Sequence, residues 1–194
     1  MRIQAGQHRG RWFKSVDKEL PVKPISARIK KSVFDILRPR LGGAFLDLYA
    51  GTGAVGLEAL SRGAEFAFFV DKDKRCLAVI DENLKRLGFE AKGRTAWGDI
   101  LADLSWVGYR SGRDRYDVVY LGPPYRTDDD TPLHFSTPSL ARVAEAGLLA
   151  DGGWALVQHH VKEKVEAPAG LEHFRQEKYG DTFVDFYRKA AAAP

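Results

Sequence analysis

The chain has 194 residues, 44% of them hydrophobic and 29% charged, with one cysteine and 30 basic against 26 acidic side chains. This length and apolar fraction fit a single globular core and exclude a disordered chain, while the lone Cys76 excludes an internal disulfide framework and an all-cysteine metal centre and points to a reducing, cytoplasmic setting. The net charge of +4 hides an asymmetry: residues 1–40 hold 11 Lys/Arg against 3 Asp/Glu, a balance of +8, and the remainder holds 19 against 23, a balance of −4.

At the start, MRIQAGQHRGRWFK lacks the hydrophobic centre of a signal peptide, and no uncharged apolar run in the chain approaches the roughly 18 residues that a membrane span needs. Residues 1–24, rich in Arg, Lys and Gly, predict a basic N-terminal arm or small hairpin ending at Pro21 and Pro24. A cationic segment on a slightly acidic body suggests an anionic macromolecular partner. Arg2, Arg9, Arg11, Lys14, Lys23 and Arg28 are the candidates for phosphate contacts, with a solvated basic face as the alternative.

Ser26 caps a predicted helix, ARIKKSVFDIL, in which Ile29, Val33, Ile36 and Leu37 recur at helical spacing. Arg28, Lys30 and Lys31 lie away from that stripe, and Pro39 marks its stop. From residue 44 short β-rich runs alternate with helical ones, the pattern of an α/β parallel sheet with crossover helices. Strands are predicted at 44–49, 66–70, 92–97, 117–121 and 154–158, and helices at about 54–62, 73–87 and 137–147. LEHFRQEKYGDTFVDFYR reads as an antiparallel hairpin turning at Gly180 and Asp181. The expected division is the arm, one catalytic domain over 25–189, and a frayed tail at 190–194.

Gly51, Gly53 and Gly56 match G-x-G-x-x-G directly after a predicted strand, with Asp71 twenty residues beyond Gly51 at the end of the next strand. Such glycines let the backbone approach a ligand, and the distal acid can accept from ribose hydroxyls. The motif alone does not choose between a dinucleotide and S-adenosylmethionine. Asp47 helps to choose, because a carboxylate four residues before the loop repels a pyrophosphate and suits the ammonium and sulfonium of S-adenosylmethionine. Asp99, after the third strand, could accept from an adenine amino group. Each acid could singly be an N-cap or loop residue.

Gly122, Pro123, Pro124 and Tyr125 follow the fourth strand, at the sheet edge where open α/β folds place their chemistry. The prolines stiffen a loop and leave carbonyls free to accept, and the tyrosine ring offers a surface on which a base can stack.

These residues resemble those of class I S-adenosylmethionine-dependent methyltransferases that act on amino groups through an (Asp/Asn)-Pro-Pro-(Tyr/Phe) loop. More narrowly, RIQAGQHRGR, KPISARIKKSVFDIL, LDLYAGTGAVGLEALSRGA, the Pro-Pro-Tyr loop and YGDTFVDFY resemble, in order and over nearly the whole chain, the RsmD-type enzymes. The resemblance implies a Rossmann-like, seven-stranded, mostly parallel sheet with helices on both faces and an antiparallel last strand. It also implies methyl transfer to guanine N2 in small-subunit (16S) ribosomal RNA, with that RNA or the small subunit as partner. The chain departs from the family at Gly122, where Asp or Asn is usual, and at Lys23, Ile25 and Ala27 within a segment that usually reads Arg-Pro-Thr-Ser-Asp-Arg.

In the family the first motif residue and the following proline carbonyl accept from the reacting amine. Three alternatives stand for this chain: the Gly122 and Pro123 carbonyls suffice, another acceptor such as Asp128, Asp129 or His159 enters, or the protein binds without turnover. Rival functions are methylation of adenine N6 or a protein glutamine amide, and a non-catalytic assembly factor; Asp47 and the Pro-Pro-Tyr loop argue against a nicotinamide dehydrogenase. Asp128–Asp130 reads as a solvated loop, with no metal site expected; Cys76 reads as a core residue, and Trp106 and Tyr109 fall in a linker.

Overall fold

A computed structural model describes residues 1–17, 20, 25–127, 129 and 131–189. Lys23, Asp128, Asp130, the expected boundary at residue 24 and the tail at 190–194 lie outside the described residues.

Helix α1 (Ala27–Leu37) begins where the Ser26 hydroxyl accepts from the Ile29 amide at 3.2 Å, and Pro39 sits in the 3-10 turn that ends it. The sheet then alternates with helices: β1 (Ala44–Leu48), α2 (Ala54–Ser61), β2 (Phe66–Asp71), α3 (Lys74–Leu87), β3 (Gly93–Trp97), α4 (Trp106–Ser111), β4 (Tyr116–Leu121), α5 (Ser136–Glu145), β5 (Leu149–His160), β6 (Leu171–Tyr179) and β7 (Thr182–Lys189). Seven strands pair in the order β3-β2-β1-β4-β5-β7-β6. The first five run parallel, and β7 lies antiparallel between β5 and β6. This is the mixed seven-stranded sheet that the resemblance implied.

Two cores flank the sheet, which is why its central strands read as continuous apolar runs. On one face Ile29, Val33 and Phe34 of α1, Leu57 of α2 and Ile80 of α3 pack on Phe45 and Phe69. On the other, Val107 of α4 and Leu140 and Val143 of α5 pack on Leu46, Leu48 and Phe68.

Residues 1–17 form a hairpin, bridged at Arg2 and Trp12, that lies against α2 and α3. Ile3 and Phe13 enter the first core. The Gln4 and Ala5 amides each donate to the Glu58 carboxylate at 2.9 Å, and the Lys14 amide donates to Asn83 Oδ1 at 2.7 Å. Gly6 is required here: its φ is +83°, and a Cβ would fall 1.8 Å from the Ser61 carbonyl oxygen.

Three expectations are corrected. Lys30 does not lie away from the buried stripe: it is 3% exposed and pairs with Glu58 at 3.2 Å, beneath the hairpin that helical periodicity cannot see. Trp106 and Tyr109 belong to α4, not a linker; at six residues, from Trp106 to Ser111, it is too short for its one fully buried apolar anchor, Val107, to set a period. Strand β5 begins at Leu149, not 154, because Gly152, in the left-handed region at φ +73°, allows an irregular register within the strand rather than a turn before it.

Candidate functional site

The glycine loop joins β1 to α2 through left-handed backbone. Tyr49, Gly51 and Gly53 have φ of 61°, 53° and 73°, and Tyr49 is the one non-glycine residue with positive φ among those described. Gly53 stands at the N-terminus of α2, with no side chain capping it. Gly56 allows α2 to rest on the sheet, since a Cβ there would fall 2.2 Å from the Phe69 ring.

Two carboxyl groups hold this loop. Asp47 Oδ2 accepts from the Gly56 amide at 2.8 Å; Asp71 accepts from the Gly51 amide at 2.8 Å and the Asp73 amide at 2.9 Å. Both are pushed up from the usual carboxylate range. Burial lifts Asp47 to about 8, with the negative charge of Asp71 adding to it, and burial likewise raises Asp71. Two desolvated acids holding one loop are an arrangement that a nearby cation would relieve.

Because β4 lies beside β1, the two loops that follow these strands meet. The Gly122 amide donates to the Leu48 carbonyl at 3.4 Å, and Asp47, Gly51, Tyr120, Gly122 and Gln158 line one cleft with Ile25 at its edge. The Tyr120 hydroxyl donates to Gln158 Oε1 at 2.7 Å, and Gln158 Nε2 donates to the Tyr125 hydroxyl at 2.6 Å. Burial raises the pKa of both tyrosines. Pro123 is buried and Pro124 exposed. The loop therefore gains a polar brace from β5 that no motif announces. Its trace lies in the register: Leu121 pairs with Val157, so the next residue of β5, Gln158, follows the last β4–β5 pair on the side of Gly122.

Other candidates fall elsewhere. Asp99 is exposed and its Oδ1 accepts from the Leu101 amide at 2.9 Å; it is not among the residues lining the cleft. The alternative in which His159 supplies an acceptor is overturned. Its side chain alternates to the opposite face from Gln158, where Nε2 meets Asp185 Oδ2 at 2.9 Å in a separate cavity with His173 and Gln176. Asp129 is tied to the Thr127 hydroxyl within its own loop. Among the described residues no cluster of His, Cys, Asp or Glu could hold a metal ion. Cys76 is fully buried, its thiol pushed up to about 12, which suits a packing role.

Of the basic candidates, Arg2, Arg9, Arg11, Lys14 and Arg28 are all exposed. Arg2 lies over the Trp12 ring at 5.0 Å, and Lys14 pairs with Glu82 at 2.7 Å. Ile25, which lines the cleft, precedes α1 by two residues, and Arg28 stands in the first turn of that helix.

A sequence profile of the family described as conserved hypothetical protein 95 matches residues 1–188. YlbH of Bacillus subtilis (strain 168) is 31% identical over 191 residues, spanning 97% of this chain and 99% of that protein. The protein named ribosomal RNA small subunit methyltransferase D in Escherichia coli (strain K12) is 28% identical over 193 residues, spanning 98% of this chain and 91% of that one. Among solved structures, yhhF from Escherichia coli superposes with a TM-score of 0.80 at 26% identity and 99% coverage of each chain.

Proposed function

The chain belongs to the conserved hypothetical protein 95 family, a methyltransferase by its fold and its relatives, and we propose that it transfers a methyl group from S-adenosylmethionine to guanine N2 in small-subunit ribosomal RNA. The observation that carries this reading is the single cleft lined by both the glycine loop at Gly51 and the Gly-Pro-Pro-Tyr loop at Gly122. A cofactor side and an acceptor side are thereby set against each other.

The residues fit this cofactor. The left-handed turn through Gly51 and Gly53 leaves room for close backbone approach, Asp71 at the end of β2 can accept from ribose hydroxyls, and the buried Asp47 favours a cationic ligand over a pyrophosphate. Asp99 is retained as an outlying adenine contact. Bound there, the cofactor supplies a methyl carbon already activated by its sulfonium. The protein's work is then positional. Carbonyls of Gly122 and Pro123 can accept from the amino group and turn its lone pair toward the methyl carbon, while Pro124 and the Tyr125 ring border the base. Arg2, Arg9, Arg11, Lys14, Lys23 and Arg28 hold phosphates of an RNA too large for the cleft.

The test is incubation of the protein with methyl-labelled S-adenosylmethionine and small ribosomal subunits lacking the modification, followed by nucleoside mapping. Label in N2-methylguanosine is expected. Label in N6-methyladenosine would move the acceptor, and no label with cofactor binding intact would leave a binding factor.

A further inference from the structure

We propose that the Tyr120 hydroxyl oxygen accepts a hydrogen bond from the substrate amino group, filling the role left without a side chain at Gly122. The inference rests on the methyl-transfer reading and names the acceptor that the reaction uses in this chain.

Gly122 is not glycine for the sake of its backbone, since its φ lies outside the left-handed region that favours glycine. What a side chain would meet is tyrosine. A Cβ at 122 would stand 3.1 Å from Tyr120 Cε1 and 3.6 Å from the Tyr120 hydroxyl. The phenol edge thus borders the space that a side chain at 122 would enter, and it carries an oxygen there.

The hydroxyl is also set up to accept. Its proton goes to Gln158 Oε1 at 2.7 Å, while Gln158 Nε2 on the other side of the same amide donates to the Tyr125 hydroxyl at 2.6 Å. With the proton directed away, the phenol oxygen keeps lone pairs for a donor in the cleft that Tyr120, Gly122 and Gln158 line. Burial keeps the group in its protonated form, so it acts as a neutral dipole. An aryl amine is a poor nucleophile while its lone pair is delocalised into the ring. Acceptors on both of its protons, one from Tyr120 and one from a Gly122 or Pro123 carbonyl, favour a pyramidal nitrogen directed at the methyl carbon. As its lone pair forms the N–C bond, the C–S bond breaks with its electron pair going to sulfur, and the nitrogen later yields one proton to solvent.

Tyr120→Phe keeps the ring and removes the oxygen. It is expected to lower the single-turnover rate at saturating cofactor and RNA by about ten- to a hundredfold, the worth of one hydrogen bond that strengthens as charge develops. Dissociation constants for cofactor and RNA should stay within twofold of the parent protein. Adding Gly122→Asp to Tyr120→Phe restores an acceptor at the same place and is expected to recover at least tenfold of the lost rate. Gln158→Met, which frees the hydroxyl proton, should lower the rate in the same direction and serves as the test if Tyr120→Phe does not fold. An active parent protein with the rate unchanged in the folded variants, or a loss found only in binding, would overturn the assignment alone. A parent protein that incorporates no methyl overturns the methyl-transfer reading and this inference with it.

Discussion

At Asp47 a carboxyl group is 1% exposed, accepts one amide and has a second acid nearby, so its protonation is linked to both folding and ligand charge. Its folded pKa of about 8 lies above the ordinary value of 3.8. Between about pH 4 and about pH 8 the native protein holds a proton that the unfolded chain has lost, and stability falls as pH rises through that window. Asp47→Asn removes this contribution. Its melting temperature, relative to the parent protein, should climb across the window and level off above about pH 8, as thermal unfolding would record. A flat difference would show that Asp47 is ionised throughout. By the same sign, binding of a cationic cofactor near pH 7 should release a proton, which calorimetry in buffers of different ionisation enthalpy would detect and the Asn variant would lack. Spacing along the chain singled out Asp47 and Asp71, because both stand at fixed offsets from the glycines, and the structure shows them holding the glycine loop. Tyr120 and Gln158 were not legible in that way: 38 residues separate them, and only the parallel pairing of β4 and β5 brings them together.

Elements were readable where their amphipathic or continuous apolar pattern was long, as in α3 and β2, and unreadable where tertiary contacts decide. Lys30 shows why. Its helix places a charge inside the molecule because Glu58 on α2 accepts from Lys30, from Arg62 Nε at 2.8 Å and from two amides of the N-terminal hairpin. Glu58 is the point at which three segments meet. Glu58→Ala would leave Lys30 buried without its carboxylate and the Gln4 and Ala5 amides without an acceptor, and is expected to cost about 3–5 kcal/mol in urea unfolding. Glu65→Ala, which breaks the exposed pair with Arg113 at 2.8 Å, is expected to cost less than about 1 kcal/mol. Similar losses for the two would show that the hairpin is not anchored through Glu58.

For the whole molecule, the imbalance between a +8 first 40 residues and a −4 remainder takes on a geometry. Some of that basic charge is paired within the molecule, at Lys30 in the interior and at Lys14 on the surface, while Arg9, Arg11 and Arg28 also lie at the surface on the hairpin and α1. Neutralising Arg9, Arg11 and Arg28 together should weaken RNA binding and reduce the slope of log affinity against log salt by about 0.7 to 0.9 for each phosphate that these side chains no longer neutralise, with cofactor affinity unchanged. An unchanged slope would remove these residues from the interface. The charge split was visible from composition; its division into internal pairs and free surface was not, because opposite charges tens of residues apart meet only after folding.

The insertion of β7 between β5 and β6 has a consequence for how the molecule can be made. Among the described residues strand β6 pairs with β7 and with no other strand, so a chain emerging in sequence order has nowhere to dock Leu171–Tyr179 until Thr182–Lys189 has followed. The five parallel strands can assemble during synthesis, exposing the outer edge of β5 until then. Completion of the sheet is thus a late event, gated by the eight residues of β7, and a product stopped just short of them would leave the edge of β5 unpaired and β6 without the strand it docks on.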